Sequence, residues 1–373
     1  MNIFEEANAK IDSFIINNLD SYHKLRNYDF GKKNRTNVSQ ISKYMSHRIL
    51  CEYQLLERLK KVDKKKKFTD EILWRLYWRG YLENYKSIWI DYKSIFIKEF
   101  TYDRKILEKA THGKTGIECF DSWVEELRDN NYLHNHARMW FASMWIFTLK
   151  LPWKLGSNFF MRHLLDGDAA SNTLSWRWVA GMHTNNKPYL ATTENIKKFT
   201  VNRFKNYPIN SFKIKSQVIN SSHISTNLPK INNTPHGEIL LIFDNDLGID
   251  KRFKLLNSYN KIYIIFNELI EDGSKFSSNV INFKKKMILN IQALIPNSQI
   301  LNLADVNLFL NNYEVIDVIY PGVGNNLDFL HKYSKINKIS INYIYRDNDL
   351  IYWNYADKGF NKFKRSVCTL NES

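Results

Sequence analysis

Residues 130–153, NNYLHNHARMWFASMWIFTLKLPW, are followed at 159–181 by FFMRHLLDGDAASNTLSWRWVAG. Around them, apolar and aromatic side chains recur at spacings of three and four, as in Ile72, Leu73, Leu76 and Tyr77, with few strand signals. Residues 1–205 are therefore expected to be all-α. This half holds nine of the ten tryptophans, six of them clustered in WRLYWRG, SMWIFTLKLPW and SWRWVAG. So many large rings imply a thick core or a site that stacks planar ligands.

Residues 206–236 are polar, dotted with Ser, Asn and proline, and without a sustained period, which predicts a linker. Beyond it, the short apolar runs EILLIF, KIYIIF, VIDVIYP and ISINYIY alternate with segments such as FKKKMILNIQAL that suit helices. That alternation predicts βαβ units and a parallel sheet over 237–373, so the fold class is a helical domain followed by a smaller Rossmann-like α/β domain. PGVGNN, after VIDVIY, either makes a simple turn or passes close to a ligand at the carboxyl edge of the sheet.

With 373 residues and 44% hydrophobic content, each half can bury its own core. The 54 basic residues against 38 acidic ones give a formal charge of +16, which suits a polyanion such as nucleic acid or an acidic membrane surface. A chain uniformly rich in Lys, Asn and Ile would show the same excess. Cys51, Cys119 and Cys368 are few, odd in number and far apart, which points away from a disulfide framework and towards a reducing, cytoplasmic setting. His134 and His136 stand two apart and cannot share one helix face, so no metal site is indicated. The start, MNIFEEANAK, lacks a secretory pattern, and no run of 18 uncharged apolar residues occurs, so a soluble monomer without membrane contact is expected.

The two quoted stretches resemble the flavin-cradling core of the DNA photolyase and cryptochrome superfamily, where His-Asn-x-x-Arg-Met precedes Asp-Gly-Asp-x-Ala-x-Asn-x-x-x-Trp-x-Trp. Upstream, SQISKYMSHRIL (39–50) is similar to the family's phosphate-binding Ser-x-Leu-Ser-Pro segment, and DEILWRLYWRGYL (70–82) to its Asn-Glu-Leu-Ile-Trp-Arg-Glu-Phe-Tyr segment. Four blocks in the family's order are more specific than any one motif. The resemblance implies an FAD site built from Tyr22, Ser39, Gln40, Ile41, Ser42, Arg75, Tyr132, Asn135, Arg138, Asp166, Asp168 and Asn172. Arg138 and Asp166 would form an ion pair beside the ring system. Asn172 falls where photolyases place an Asn near flavin N5, a position at which plant cryptochromes commonly carry Asp. Gln40 replaces the family's usual Arg and Lys43 its Pro, and the loop from Tyr22 to Ser39 is longer.

The resemblance further implies light-driven repair of UV-damaged DNA, single- or double-stranded. Glu71, Trp74, Met139 and Trp178 match the substrate positions of photolyases that split cyclobutane pyrimidine dimers, with Asp70 standing where many have Asn. Enzymes acting on the 6-4 photoproduct carry His-His-x-x-Arg-His, against His134, Asn135, Arg138 and Met139 here, and the missing final His removes a proton carrier. Trp176 and Trp153 match the first two members of the family's photoreduction chain, while the outer position falls on Phe100, leaving Tyr102 or another Trp to take over. In ordinary members the α/β antenna domain comes first. Here it follows, as a permuted relative whose second chromophore is unassigned. The rival expectation is a cryptochrome-like blue-light photoreceptor that keeps the flavin but repairs nothing.

Overall fold

The computed structural model describes residues 2–95, 101–183, 187–204, 225–229, 234–250 and 252–372. Phe100 and most of the linker expected at 206–236 lie outside the described residues. Up to Phe199 the described elements are helical, and the strands begin at Ile239. Among the described residues no helix is long and apolar enough to cross a membrane.

Local chemistry sets the helix ends. Asn2 and Glu5 form a reciprocal capping box at the start of Ile3–Asn17. Asp168 caps Ala169–Val179 by accepting from the Ser171 amide at 2.8 Å. Asn131, in the left-handed region at φ 55°, ends Glu118–Asn130. A π-helical turn at Met144–Thr148 closes the next helix, and Pro152 then caps Trp153–His163. The stretches quoted at the outset thus become helices Asn135–Ser143, Trp153–His163 and Ala169–Val179, packed around the fully buried Trp123, Trp140, Trp145, Phe120 and Phe141.

Five parallel strands, β1 (Ile239–Phe243), β2 (Lys261–Phe266), β3 (Ser298–Asn302), β4 (Val315–Ile319) and β5 (Ser340–Ile344), lie in the order β3-β2-β1-β4-β5. The four apolar runs named from the sequence are β1, β2, β4 and β5. β3 was not read there because it is an edge strand of sequence SQILN with mixed burial, which leaves little apolar signal. Side chains alternate between the two faces of the sheet. Ile239, Leu241, Phe243, Tyr263 and Ile265 pack with Leu310, Leu330 and Tyr333 in the α/β half's own core. Leu240, Ile242, Ile262 and Ile264 point the other way, into a core that also contains Ile3, Ile11, Leu55 and Leu76. One face of the sheet is therefore buried against the helical half.

A buried carboxylate ties these parts together. Glu52 is fully buried at the first position of Glu52–Leu59, and its oxygens lie 3.2 Å from Arg75 Nε, 3.3 Å from Arg79 Nε and 3.7 Å from Arg48 Nη1. Arg48 makes a bidentate pair with Asp349 of the α/β half, both contacts at 2.9 Å. Arg79 donates to the carbonyls of Met45 and Ser46. Burial alone would raise the Glu52 carboxyl, but the guanidinium groups of Arg79, Arg48 and Arg75 hold it below its ordinary value. Its contribution to stability is thus present above the ordinary carboxylate pKa and is lost as pH falls through the lowered one. Glu52→Ala, which leaves the Arg79 guanidinium without an ion-pair partner among the described residues and takes one from Arg48 and Arg75, is expected to cost about 3–5 kcal/mol in denaturant titrations. Glu52→Gln is expected to remove part of the parent's loss of stability on acidification.

Candidate functional site

Eight of the expected cofactor residues, Tyr22, Ser39, Gln40, Ile41, Ser42, Arg75, Tyr132 and Asn135, line one cavity. Arg26, Asn27, Glu71 and His136 share its wall. The long loop that delivers Ser39 to Ser42 is held by Asp29, a fully buried carboxylate accepting from Arg35 at 3.0 Å, Arg203 at 2.7 Å and the Gly31 amide at 3.1 Å. Burial works to raise this carboxyl, and Arg203 and Arg35 together keep it below the usual range. Arg35 also pairs with Glu126 at 2.5 Å, and Asn37 Nδ2 donates to the carbonyls of Leu25 and Tyr28 at 2.8 Å each. Gln40 adopts φ 51° and spends its side-chain amide on the Arg35 carbonyl, inside its own loop. The helix that follows, Ser42–Ser46, is one turn long, so hydroxyls and loop amides supply the polar wall rather than a long helix dipole.

The other four expected residues are not on this wall. Arg138 pairs with Asp166 at 2.9 Å and donates from Nε to the Leu133 carbonyl, with its guanidinium 5.3 Å above the Tyr132 ring. Arg35 lies 5.2 Å from the same ring, and burial pushes the Tyr132 phenol up to about 12. Asp166 Oδ1 is buried and accepts no hydrogen bond among the described residues. Asp168 meets Arg75 Nη2 at 2.5 Å; burial favours its neutral form, but Arg75 and Arg79 keep its carboxyl below the ordinary value. Arg75 thus joins the cavity wall to the Asp-Gly-Asp turn. Asn172 Nδ2 donates to the Ser157 carbonyl and hydroxyl, both at 2.9 Å. A carbonyl can only accept, so this fixes the amide and turns its oxygen away from Ser157.

The expected substrate residues are dispersed. Glu71 alone lines the cavity, paired with Arg26, and burial raises its carboxyl even though Arg26 pulls the other way. Asp70 is paired with Lys364 at 2.5 Å. Trp74 is stacked on Phe360 with ring centres 3.6 Å apart and planes at 6°. Trp178 stacks on Tyr189 at 5.5 Å, and Met139 is half-buried one residue beyond Arg138. Trp176 and Trp153 are buried, and Trp176 Nε1 has no hydrogen-bond partner among the described residues. Arg26 was missed in the sequence, although it follows Tyr22 by four residues and so shares its helix face. Asp29, Arg35 and Ser157 left no such signal, because their further partners Arg203, Glu126 and Asn172 lie in other elements.

A second cavity, of about 990 Å³, opens where β1 and β4 diverge at their carboxyl ends. Asp244, Asn267, Gly322, Gly324 and Asn326 line it on the sheet side, and Arg79, Gly167 and Asp168 on the helical side. PGVGNN makes the turn, with Gly322 at φ 78° and Gly324 at φ 154°.

Residues 68–212 match the family model for the FAD binding domain of DNA photolyase. The chain is 26% identical over 196 residues to a deoxyribodipyrimidine photo-lyase of Vibrio cholerae, covering 50% of this chain and 41% of the relative. It is 31% identical over 143 residues to that of Buchnera aphidicola (36% and 30%), and 32% identical over 122 residues to that of Streptomyces griseus (32% and 27%). The chain therefore spans less than half the length of these relatives. Solved structures that it resembles include a class III photolyase from Agrobacterium tumefaciens (25% identity, TM-score 0.46, covering 52% of this chain and 42% of that one). Another is a Synechocystis cryptochrome (22% identity, TM-score 0.46, 52% and 43%).

The residues present fit FAD. Asn27 Oδ1 and His136 Nδ1 are buried polar atoms on the first cavity's wall without hydrogen-bond partners among the described residues, beside the hydroxyls of Ser39 and Ser42 and the charge of Arg75. Unsatisfied polar groups in a cleft are the complement of a polar, multiply hydrogen-bonding ligand. Residues 68–212 thus match the FAD binding domain of DNA photolyase, and the cavity that they help to line suits that cofactor.

Proposed function

We propose that the protein is a light-driven lyase that splits cyclobutane pyrimidine dimers in UV-damaged DNA. In this reading residues 1–205 are the catalytic domain, and residues 237–373 are an antenna-like domain placed after it, with a second chromophore of unassigned identity. The observation that carries the reading is Glu71, which stands on the same wall as Tyr22, Ser39, Ser42 and Arg75 with a carboxyl raised by burial. A carboxyl whose affinity for a proton is raised is the better suited to share one with a pyrimidine carbonyl on which charge develops. Bound FAD supplies blue-light absorption and a reversible one-electron donor. Arg138 and Asp166 hold compensated charge behind the site, and the Ser39 to Ser42 hydroxyls with Arg75 hold the diphosphate. The lysine run KKVDKKKK (60–67) leads into Phe68 and Glu71 at the cavity, where exposed Lys60, Lys61, Lys64, Lys66 and Lys67 would meet the DNA backbone.

One observation favours a second reading, a flavin photoreceptor without repair activity. Phe360 covers Trp74 and Lys364 occupies Asp70, so two of the expected substrate residues are held by the chain's own Phe360–Glu372 helix.

Three variants test these readings. Arg138→Ala strands buried Asp166 and is expected to weaken FAD binding on the order of tenfold or more in a fluorescence titration. Illumination of the reduced protein with dimer-containing oligonucleotides, single- and double-stranded, is expected to restore the pyrimidines. Glu71→Ala is expected to slow that restoration by about tenfold or more. A parent that restores none under light would leave the photoreceptor reading standing. Phe360→Ala, which bares the Trp74 ring, is expected to tighten binding of dimer-containing over undamaged DNA. Unchanged binding would show that Trp74 is only a packing residue.

A further inference from the structure

Trp153 begins the Trp153–His163 helix, and its ring lies 5.4 Å from Tyr92 with planes at 36°. Tyr92 in turn lies 5.3 Å from Trp89 at 35°. These two stand three residues apart on Ser87–Ser94 and so share a helix face. Trp176 packs on the same helix as Trp153: a methyl group at Gly156, one turn on, would fall 2.3 Å from its ring. Trp153, Tyr92 and Trp89 are each no more than 5% exposed. The series reaches solvent through Asp328, whose Oδ2 accepts from Trp89 Nε1 at 2.8 Å and whose side chain is 34% exposed.

We propose that Tyr92 and Trp89 extend the Trp176 and Trp153 pair to the surface, with Trp89 as the terminal electron donor and Asp328 as the acceptor of its indole proton. The proposal rests on the FAD reading, in which Trp176 would give an electron to bound flavin under blue light and Trp153 would refill it. Phenols lose an electron readily only together with their proton. The Tyr92 hydroxyl stands 2.6 Å from Glu271 Oε1 and 2.6 Å from Asn158 Oδ1, and burial makes the Glu271 carboxylate a stronger base than usual. As the electron leaves Tyr92 for Trp153, its O–H proton shifts to Glu271, and it returns when Trp89 refills Tyr92. The Trp89 Nε1–H bond then breaks and its proton passes to Asp328 Oδ2. The net change moves one electron from Trp89 to Trp153 and one proton from Trp89 to Asp328. This path replaces the outer position that the sequence assigns to Phe100.

The FAD-loaded full chain is illuminated with blue light, without oxygen, in the presence of dithiothreitol. Flavin absorbance is followed, and the radical trapped on freezing is read by electron paramagnetic resonance. Trp89→Phe and Tyr92→Phe are each expected to slow flavin photoreduction by about tenfold or more at unchanged FAD content and to abolish the parent's indole radical. Asp328→Asn, which removes the base together with its half-exposed ion pair to Lys93 at 2.7 Å, is expected to slow formation of the neutral radical and to change its solvent isotope effect. Trp89→Phe and Asp328→Asn leave the buried Tyr92 network intact and decide the matter if Tyr92→Phe fails to fold. A parent that binds FAD, with both of these variants matching it in rate and radical signal, overturns the proposal alone. A parent that binds no FAD sinks the flavin reading and this one with it.

Discussion

The arrangement depends on a carboxylate that water cannot reach. Glu52 gathers Arg48, Arg75 and Arg79, and each of these cations has a second obligation: Arg48 to Asp349, Arg75 to Asp168, and Arg79 to the carbonyls of Met45 and Ser46. No one of these pairs would justify its own desolvation. Joined, they leave no buried charge uncompensated and fix four pieces of chain at once. The Ser39 to Ser46 segment, the Lys66–Asn84 helix, the Asp-Gly-Asp turn and the C-terminal α/β half cannot shift independently without exposing a cation to a low dielectric.

The shared apolar core makes the same demand by different means. A parallel sheet needs cover on both faces, and in this chain one of those covers includes helices that also line the first cavity. Order along the chain then matters little, because contact is set by which faces are apolar, and a sheet that follows the helices can be buried by them as well as one that precedes them. Gly80 shows how close the approach is: a methyl group there would lie 2.7 Å from Ala356 and 2.8 Å from the Trp353 ring. Communication between the halves needs no special device when Asp349, Glu271 and Asp328 of one half bond side chains of the other.

What the sequence revealed follows from how far apart the interacting groups lie in the chain. Helices with a strong apolar period, four of five strands, and the eight residues around the first cavity were legible, because local pattern or an ordered motif carries them. β3 was not, since an edge strand needs few apolar residues. The pairings of Asp29 with Arg203, Glu52 with Arg79 and Tyr92 with Glu271 join residues from distant parts of the chain, and a single sequence contains no term for them. Phe360 on Trp74 is the same kind of fact. The motif places Trp74 correctly on its helix, yet whether the ring faces a ligand or a neighbour is decided by a segment almost three hundred residues later.

That contact sets the scale on which repair and signalling differ. Uncovering Trp74 exposes a large aromatic side chain and loses a stacked pair, about 3 kcal/mol in all if the terms are added. At that cost the open form is populated at under about 1%, and apparent affinity for a ligand needing the bare ring falls by roughly two orders of magnitude. A tight intrinsic site tolerates such a reduction and still binds its target; a weak one does not. In the repair reading the cover would attenuate lesion binding by that factor without touching the first cavity, on whose wall Glu71 stands. A flipped pyrimidine pair that gains contacts with both Glu71 and Trp74 can offset the loss, whereas undamaged DNA, which offers no such gain, leaves the helix in place.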